Sequence, residues 1–250
     1  MTRRRWIADE VNGDNAALVG EHAAHLARVL RAQVGQQFDI SAGNELRRGT
    51  ITTISHDRIE FALSKRLTRR PRGHALPAAQ VTLALAIFKF DRMEWAIEKC
   101  TEIGVARIVP VIACRTDAHL AATAVKRCER WRRIARQAAE QARRSSPPEI
   151  AAPVRLKQLT KVLGADMGAG TSSRVVLAES LAESEEATRL RDVLQSNEVA
   201  LAIGPEGGWT NEELAWFLDQ GWTAASLGHT ILRAETAAIV AATLAFDAFR

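Results

Sequence analysis

One carboxylate, Glu206, stands in the stretch IGPEGGWT (residues 203–210), with Gly204 and Pro205 before it and Gly207 and Gly208 after it. A carboxylate can take a proton, orient a ligand or cap a turn. Glycines beside it admit positive φ or the close approach of a ligand or another backbone. A tight turn that needs no ligand accounts for the same residues. A second cluster, Arg233 and Glu235, lies in LGHTILRAETAAI (227–239) at the mouth of a long apolar segment. The two charges either pair with each other or point into a site, where an arginine would stabilise developing negative charge. Metal chemistry is not expected. The six histidines form no HxxxH or HExxH, and Cys100, Cys114 and Cys128 form no CxxC.

Both clusters need elements to hold them. EVALAI (198–203) reads as a short buried strand, and Thr210 with Glu213 forms a capping box that opens a helix. The glycines therefore occupy a strand-to-helix turn. TAASL (223–227) is another buried strand, followed by a loop and then a helix from Ala234 or Thr236 that is apolar nearly all round. Such a helix must be covered, by the sheet or by another subunit. VTLALAI (81–87), ARIVPVIA (106–113) and RVVLAE (174–179) complete a set of apolar strands separated by helical patterns, the signature of a parallel α/β sheet.

Two of those helices are legible. In FDRMEWAIEKCTEIGV, Asp91 is the expected cap, Met93, Ile97, Cys100 and Ile103 the buried face, and Gly104 the stop. In KRCERWRRIARQAAEQARRSSPP, Trp131, Ile134, Ala135 and Ala138 share the buried face, and Pro147-Pro148 is the expected end. Its remaining faces carry Arg127, Arg130, Arg132, Arg133, Arg136, Arg143 and Arg144. These either contact RNA or form a solvated surface bridged to Glu129 and Glu140.

The first part of the chain has a different texture. RRRWIA, QQFDIS, RRGTITTIS and RIEFALSKR alternate apolar and polar residues, with a helix near EHAAHLARVL. They indicate a small β-rich domain over residues 1–74, joined through TRRPRGHALPA to an α/β domain over 75–250. Residues 1–74 hold 13 Lys/Arg against 8 Asp/Glu, and 75–250 hold 21 of each. The whole net charge of +5 thus falls in the first part. It points to a polyanion such as RNA, or to ordinary solvated surface. No 18-residue apolar run and no apolar segment behind the basic N-terminus are present, so neither a membrane span nor a secretory signal is expected. Unpaired cysteines fit a reducing, cytoplasmic setting.

IGPEGGWT, LGHTILRAETAAI, EKCTEIGVARIVPVIACRT and WRRIARQAAEQARR together resemble the RsmE family. Its members are SPOUT-class enzymes that methylate N3 of uracil 1498 in bacterial 16S ribosomal RNA with S-adenosylmethionine. HLARVLRAQVGQQF fits that family's small N-terminal PUA-like β-barrel. The departures are Trp209 where Phe is usual, His229 where Arg is frequent, and Thr116 after Arg115 where Ser is common. The resemblance implies a parallel sheet with a C-terminal trefoil knot, an exception to the general absence of knots.

It further implies that S-adenosylmethionine is bound by Leu177, Gly204, Pro205, Glu206, Gly207, Gly208, Leu227, Gly228, Ile231 and Leu232. Arg233 and Glu206 become the catalytic candidates, Arg233 for charge on the uracil and Glu206 for the proton or for cofactor positioning. A purely structural role for Glu206 stays open. Arg3, Arg4, Arg5, Arg28, Arg31 and Arg115 are the expected RNA contacts. The implied partners are 16S RNA of the 30S subunit and a second copy of the chain. Two other readings remain: a SPOUT enzyme acting on tRNA or 23S RNA, at a base or a ribose 2′-OH, and a non-catalytic RNA-binding protein. A Rossmann dinucleotide site is disfavoured, because no GxGxxG follows an early strand.

Overall fold

In the computed structural model, the residues described are 5–43, 45–67, 79–164, 172–178 and 188–249. The expected linker, TRRPRGHALPA, lies wholly outside them, as do Arg3 and Arg4. The chain forms two compact units, Met1–Gly73 with Arg136–Pro147, and His74–Ala135 with Pro148–Arg250.

The first unit holds β1 (Arg5–Ile7), β2 (Glu10–Asn12), β3 (Asn15–Val19) and a short α1 (Glu21–Ala24) that runs on into a π-helical turn, His25–Val29. β4 (Gln37–Ala42), β5 (Glu45–Ile54) and β6 (Arg58–Arg66) complete a six-stranded sheet of order β1-β4-β5-β6-β3-β2. Only β1–β4 pair in parallel among these strands. Period-two alternation puts Trp6, Leu18, Ile40, Ile51, Ile59 and Phe61 in one core, closed by Leu26 from the π-helical turn. The segment Arg136–Pro147 belongs here because its polar groups satisfy β1 and its neighbours. Glu140, fully buried, accepts from Ile7 N at 3.1 Å, and Arg136 bonds Asp9 and the Ile7 carbonyl. Burial would raise the Asp9 carboxyl, but bonds from His22, the Val19 amide and Arg136 outweigh it and hold the group below its ordinary value.

The second unit opens with β7 (Gln80–Ala86), α2 (Phe90–Ile103), β8 (Arg107–Ile112) and α3 (Ala118–Gln141), whose last residues join the first unit. Two very short strands follow, β9 (Glu149–Ile150) and β10 (Val154–Arg155), then a 3-10 turn and α4 (Leu159–Leu163). The remainder is β11 (Ser173–Leu177), α5 (Leu190–Val193), β12 (Glu198–Ile203), α6 (Asn211–Asp219), β13 (Thr223–Ala225) and α7 (Ala234–Ala248). The strands form one sheet of order β10-β8-β7-β12-β11-β13, with β9 also on β8, and every pairing is parallel, as the apolar strand rhythm predicts. Both faces are covered. Leu83 and Leu85 of β7 enter one core with Ile97, Trp131 and Ala238, while Ala84 and Ala86 enter the other with Val109, Phe217 and Trp222.

α7 buries Ala238, Ala241, Ala242 and Ala245 and contacts α2, β7 and β12. A Cβ at Gly104, which ends α2, would come 3.3 Å from Phe246 Cζ, so the glycine stop also admits that ring.

Two helix boundaries differ from expectation. The N-cap of α2 is Lys89, with no side-chain bond, and Asp91 lies in the first turn, where a carboxylate favours the helix dipole. α3 begins at Ala118 rather than near Lys126, because Asp117 Oδ1 accepts from the His119 and Leu120 amides at 2.8 and 3.2 Å. It ends at Gln141, ahead of Pro147. Arg143 adopts a left-handed φ of 57° just beyond. Several arginines of α3 are engaged by protein groups: Arg130 Nε meets Glu94 at 2.6 Å, Arg132 meets Glu129 at 3.1 Å, and Arg127 stacks 4.8 Å from the Phe90 ring centre.

Candidate functional site

β12 ends at Ile203 and the chain turns through Gly204–Gly208 into α6. The capping box forms: Thr210 Oγ1 accepts from Glu213 N at 3.2 Å, and Glu213 Oε2 accepts from Thr210 N at 2.9 Å. Glu213 does more than cap. Its other oxygen accepts from the Cys114 amide at 2.7 Å, tying the segment after β8 to the turn. Arg115 Nη1 reinforces this by donating to the Gly207 carbonyl at 2.5 Å and the Trp209 carbonyl at 3.4 Å.

Glu213 is nearly buried, so its removal strands the Cys114 and Thr210 amides together. Glu213→Ala should therefore lower unfolding free energy by about 2–4 kcal/mol, read by urea denaturation. A loss below about 0.5 kcal/mol would mean that water replaces both bonds.

Each glycine of the turn has its own cause. Gly208 has φ +70°, and its amide bonds the Pro205 carbonyl at 2.8 Å. A Cβ at Gly207 would come 3.3 Å from Arg115 Cδ, and one at Gly204 would come 3.3 Å from Trp209 Nε1. The left-handed requirement thus falls on Gly208, and protein groups already lie against Gly204 and Gly207.

The turn forms one wall of a cavity of about 620 Å³. Facing it are the loop between β13 and α7, the end of β11 and the start of α2. Leu177, Gly204, Pro205, Glu206, Gly207, Gly208, Leu227, Gly228, Ile231 and Leu232 all line this space, and so do Arg233 and Arg115. Leu177, Ile203, Leu227, Leu232 and Ala237 give it apolar walls, while Lys89, Arg92, Arg115, Glu206 and Arg233 supply charge. Gly228 has φ +133°, and a Cβ built on it meets no atom within 4 Å. An apolar bed with charged groups beside it suits a flat heteroaromatic ring that carries a polar, charged tail.

The pairing of Arg233 with Glu235 that the sequence allows does not form. Glu235 is 6% exposed and faces Arg92, with Nη1 to Oε1 at 3.5 Å. The same Nη1 lies 3.7 Å from Glu206 Oε1. Arg233 is exposed and makes no ion pair among the described residues. Sequence reasoning missed Arg92, together with Lys89, Asn211 and Thr230 of the lining. The signal for Arg92 was its place one residue inside the expected cap of α2, beside the apolar face that alone was read. Of the expected RNA contacts, Arg5 bonds the Arg143 carbonyl, Arg28 lies 2.6 Å from His56 Nε2, and Arg31 has φ 50°, all three in the first unit.

Neither buried cysteine is poised as a nucleophile. Burial pushes the Cys100 thiol up to about 12 and raises Cys128 as well. Among the described residues no His/Cys/Asp/Glu group is arranged to hold a metal, and no helix is long and apolar enough to cross a membrane.

Residues 74–245 match the model of the RNA methyltransferase domain. The chain is 34% identical, over 87% of its own length and 68% of the relative's, to a ribosomal RNA small subunit methyltransferase E of Synechocystis sp.. It is 32% identical to the enzyme of that name from Mycobacterium bovis, over 92% of this chain and 85% of the relative. A structure from Legionella pneumophila with S-adenosylmethionine bound superposes with a TM-score of 0.82, at 28% identity, covering 98% of this chain and 97% of that one. A ribosomal RNA small subunit methyltransferase E from Neisseria gonorrhoeae, also bound to S-adenosylmethionine, gives 0.78 at 25% identity, covering 96% and 95%.

Proposed function

This chain belongs to the RNA methyltransferase family, and we propose that it methylates N3 of a uracil in small-subunit ribosomal RNA, at position 1498 of 16S RNA, with S-adenosylmethionine as donor. One observation carries the reading. The glycine-rich turn and the Leu227–Leu232 loop, far apart in sequence, face each other across a single cavity with apolar walls and charged groups. The relatives named ribosomal RNA small subunit methyltransferase E share most of the chain, and two structural neighbours hold the cofactor.

The residues present fit that cofactor. Leu177, Leu227, Ile231 and Leu232 offer apolar surface for an adenine, and the open space at Gly228 is where a side chain would intrude. The bound cofactor supplies an electrophilic methyl carbon. The chain must then hold N3 in line with it, take the imide proton and balance the charge that spreads onto O2 and O4. We assign the proton to Glu206 and a carbonyl oxygen to Arg233; both line the cavity, and Arg233 makes no ion pair among the described residues. N3 sits on the Watson–Crick edge, so the target must be unpaired or extruded.

We read the Leu227–Leu232 loop and α7 as part of a SPOUT trefoil knot. Supporting this, the chain leaves the edge strand β13 and returns through α7 to β7 and β12 at the sheet's centre. Residues 1–74 are read as a PUA-like domain that docks RNA through Arg3, Arg4, Arg5, Arg28 and Arg31, with Arg115 acting from the cavity. The other domain, 75–250, carries the chemistry in the cytoplasm.

A second copy is proposed to cover α7. Ile239, Val240 and Leu244 are only partly buried there, and Trp95 on the neighbouring α2 is 46% exposed. Sedimentation at micromolar concentration should then show a dimer, and a species of 27.4 kDa alone would contradict it.

The function is tested by mass mapping of 16S RNA from a strain lacking the gene. Methylation at N3 of the target uridine should be absent there and should return with the wild-type gene. Full modification in the deletion strain would overturn the reading.

A further inference from the structure

Uracil and cytosine differ at the edge that reacts. Uracil presents O4 as acceptor, N3–H as donor and O2 as acceptor, whereas cytosine presents an N4 amino donor and then N3 and O2 as acceptors. The cavity lining contains an adjacent donor and acceptor of matching kind. Arg92 and Glu206 both line it, with Nη1 and Oε1 3.7 Å apart. Their side chains are 31% and 41% exposed, so a ligand can reach both.

The contacts that hold Arg92 are ionic rather than close hydrogen bonds: 3.7 Å to Glu206 and 3.5 Å to Glu235. The guanidinium is thus anchored by charge while its N–H groups stay available. Glu235 is the anchor behind it, 6% exposed, with Oε2 lacking a hydrogen-bond partner among the described residues. A buried carboxylate of this kind needs a nearby cation, and Arg92 is that cation.

From this juxtaposition we infer that Arg92 and Glu206 together read the target base, selecting uracil and rejecting cytosine; the inference rests on the uracil-methylating reading above. Glu206 accepts the N3–H bond while Arg92 donates to a flanking carbonyl oxygen. In the reaction the N3–H proton passes to the Glu206 carboxylate, the neutral carboxyl group turns off the N3 axis, and the freed in-plane N3 pair bonds the methyl carbon. The carbon–sulfur bond breaks with its electrons going to sulfur, converting the sulfonium to a neutral thioether. Arg92 stabilises the charge on the carbonyl oxygen throughout.

Cytosine cannot make the same pair. With its N3 opposite Glu206, two lone pairs meet. Sliding the base so that the amino group meets Glu206 brings N3 to Arg92, out of line with the methyl group.

The test uses the full-length protein and 30S subunits whose 16S RNA carries uridine or cytidine at the target. Single-turnover methylation is measured with S-adenosylmethionine, and RNA affinity with S-adenosylhomocysteine present. Wild-type protein should prefer uridine by about 10²-fold or more in rate. Arg92→Met should slow uridine methylation about 10²-fold and narrow the preference, while Arg92→Lys, keeping charge without the planar fork, should recover only part. Glu206→Gln, which can offer N3 of cytosine a donor, should shift the uridine-to-cytidine affinity ratio toward cytidine by about tenfold.

An unchanged uridine-to-cytidine ratio in both Arg92→Lys, which keeps the cation beside Glu235, and Glu206→Gln would overturn the inference and leave the function intact. Wild-type protein that methylates neither RNA would instead remove the function, and the inference with it.

Discussion

Arg233→Ala is expected to slow single-turnover methylation about 10²- to 10³-fold while leaving S-adenosylmethionine affinity within about twofold. The residue lines the cavity, is exposed and makes no ion pair among the described residues. Its charge is therefore not spent on folding, and its removal should leave melting nearly unchanged. The imide anion forms only as the proton leaves, so a cation facing it strengthens its contact in the transition state rather than in the bound complex. Arg233→Lys should recover part of the rate. An unchanged single-turnover rate in Arg233→Ala would place the charge-stabilising group elsewhere in the cavity.

Gly228→Val should have an equally large effect on a different observable, weakening cofactor binding by about 10²-fold or more in calorimetry. Two causes act together. The residue holds φ +133°, a conformation that costs a branched side chain about 1–3 kcal/mol. Its Cβ would also enter open space beside the apolar walls proposed for the adenine. Gly207→Val is the useful contrast. That position lacks a left-handed φ, and its Cβ meets the movable Arg115 side chain at 3.3 Å. A shift of Arg115 can absorb part of that intrusion, so the loss of affinity should be smaller. Equal affinity in folded Gly228→Val and wild-type protein would exclude this loop as the cofactor's bed.

The difference between these sites and the rest of the chain shows what the residues alone convey. The parallel sheet was legible because VTLALAI, ARIVPVIA and EVALAI are predominantly apolar without polar alternation, the pattern of strands buried on both faces. The capping box at Thr210 was legible because its two partners are three residues apart. Both are local signals. The role of Glu213 in holding Cys114 was not, since it joins residues nearly a hundred positions apart.

Arg92 was missed for the same reason: its carboxylate partners come from the β12 turn and from α7. β2 and β3 are not among the strands legible in the sequence, because three-residue β2 is exposed throughout and Ala16, Ala17 and Leu18 of β3 are all buried, so neither shows the alternation of a half-buried strand. Two-residue β9 and β10 carry no period at all. The start of α3 was placed too late because its first turns, AHLAATAV, show alanine propensity but little amphipathic stripe.

The most direct test of the central claim incubates purified full-length protein with methyl-labelled S-adenosylmethionine and 30S subunits from the deletion strain. Nuclease digestion and mass spectrometry then locate the label. The account predicts one labelled methyl group per subunit, on N3 of the uridine at position 1498 of 16S RNA. Label on a ribose 2′-OH or on another base, or none above background, would contradict it.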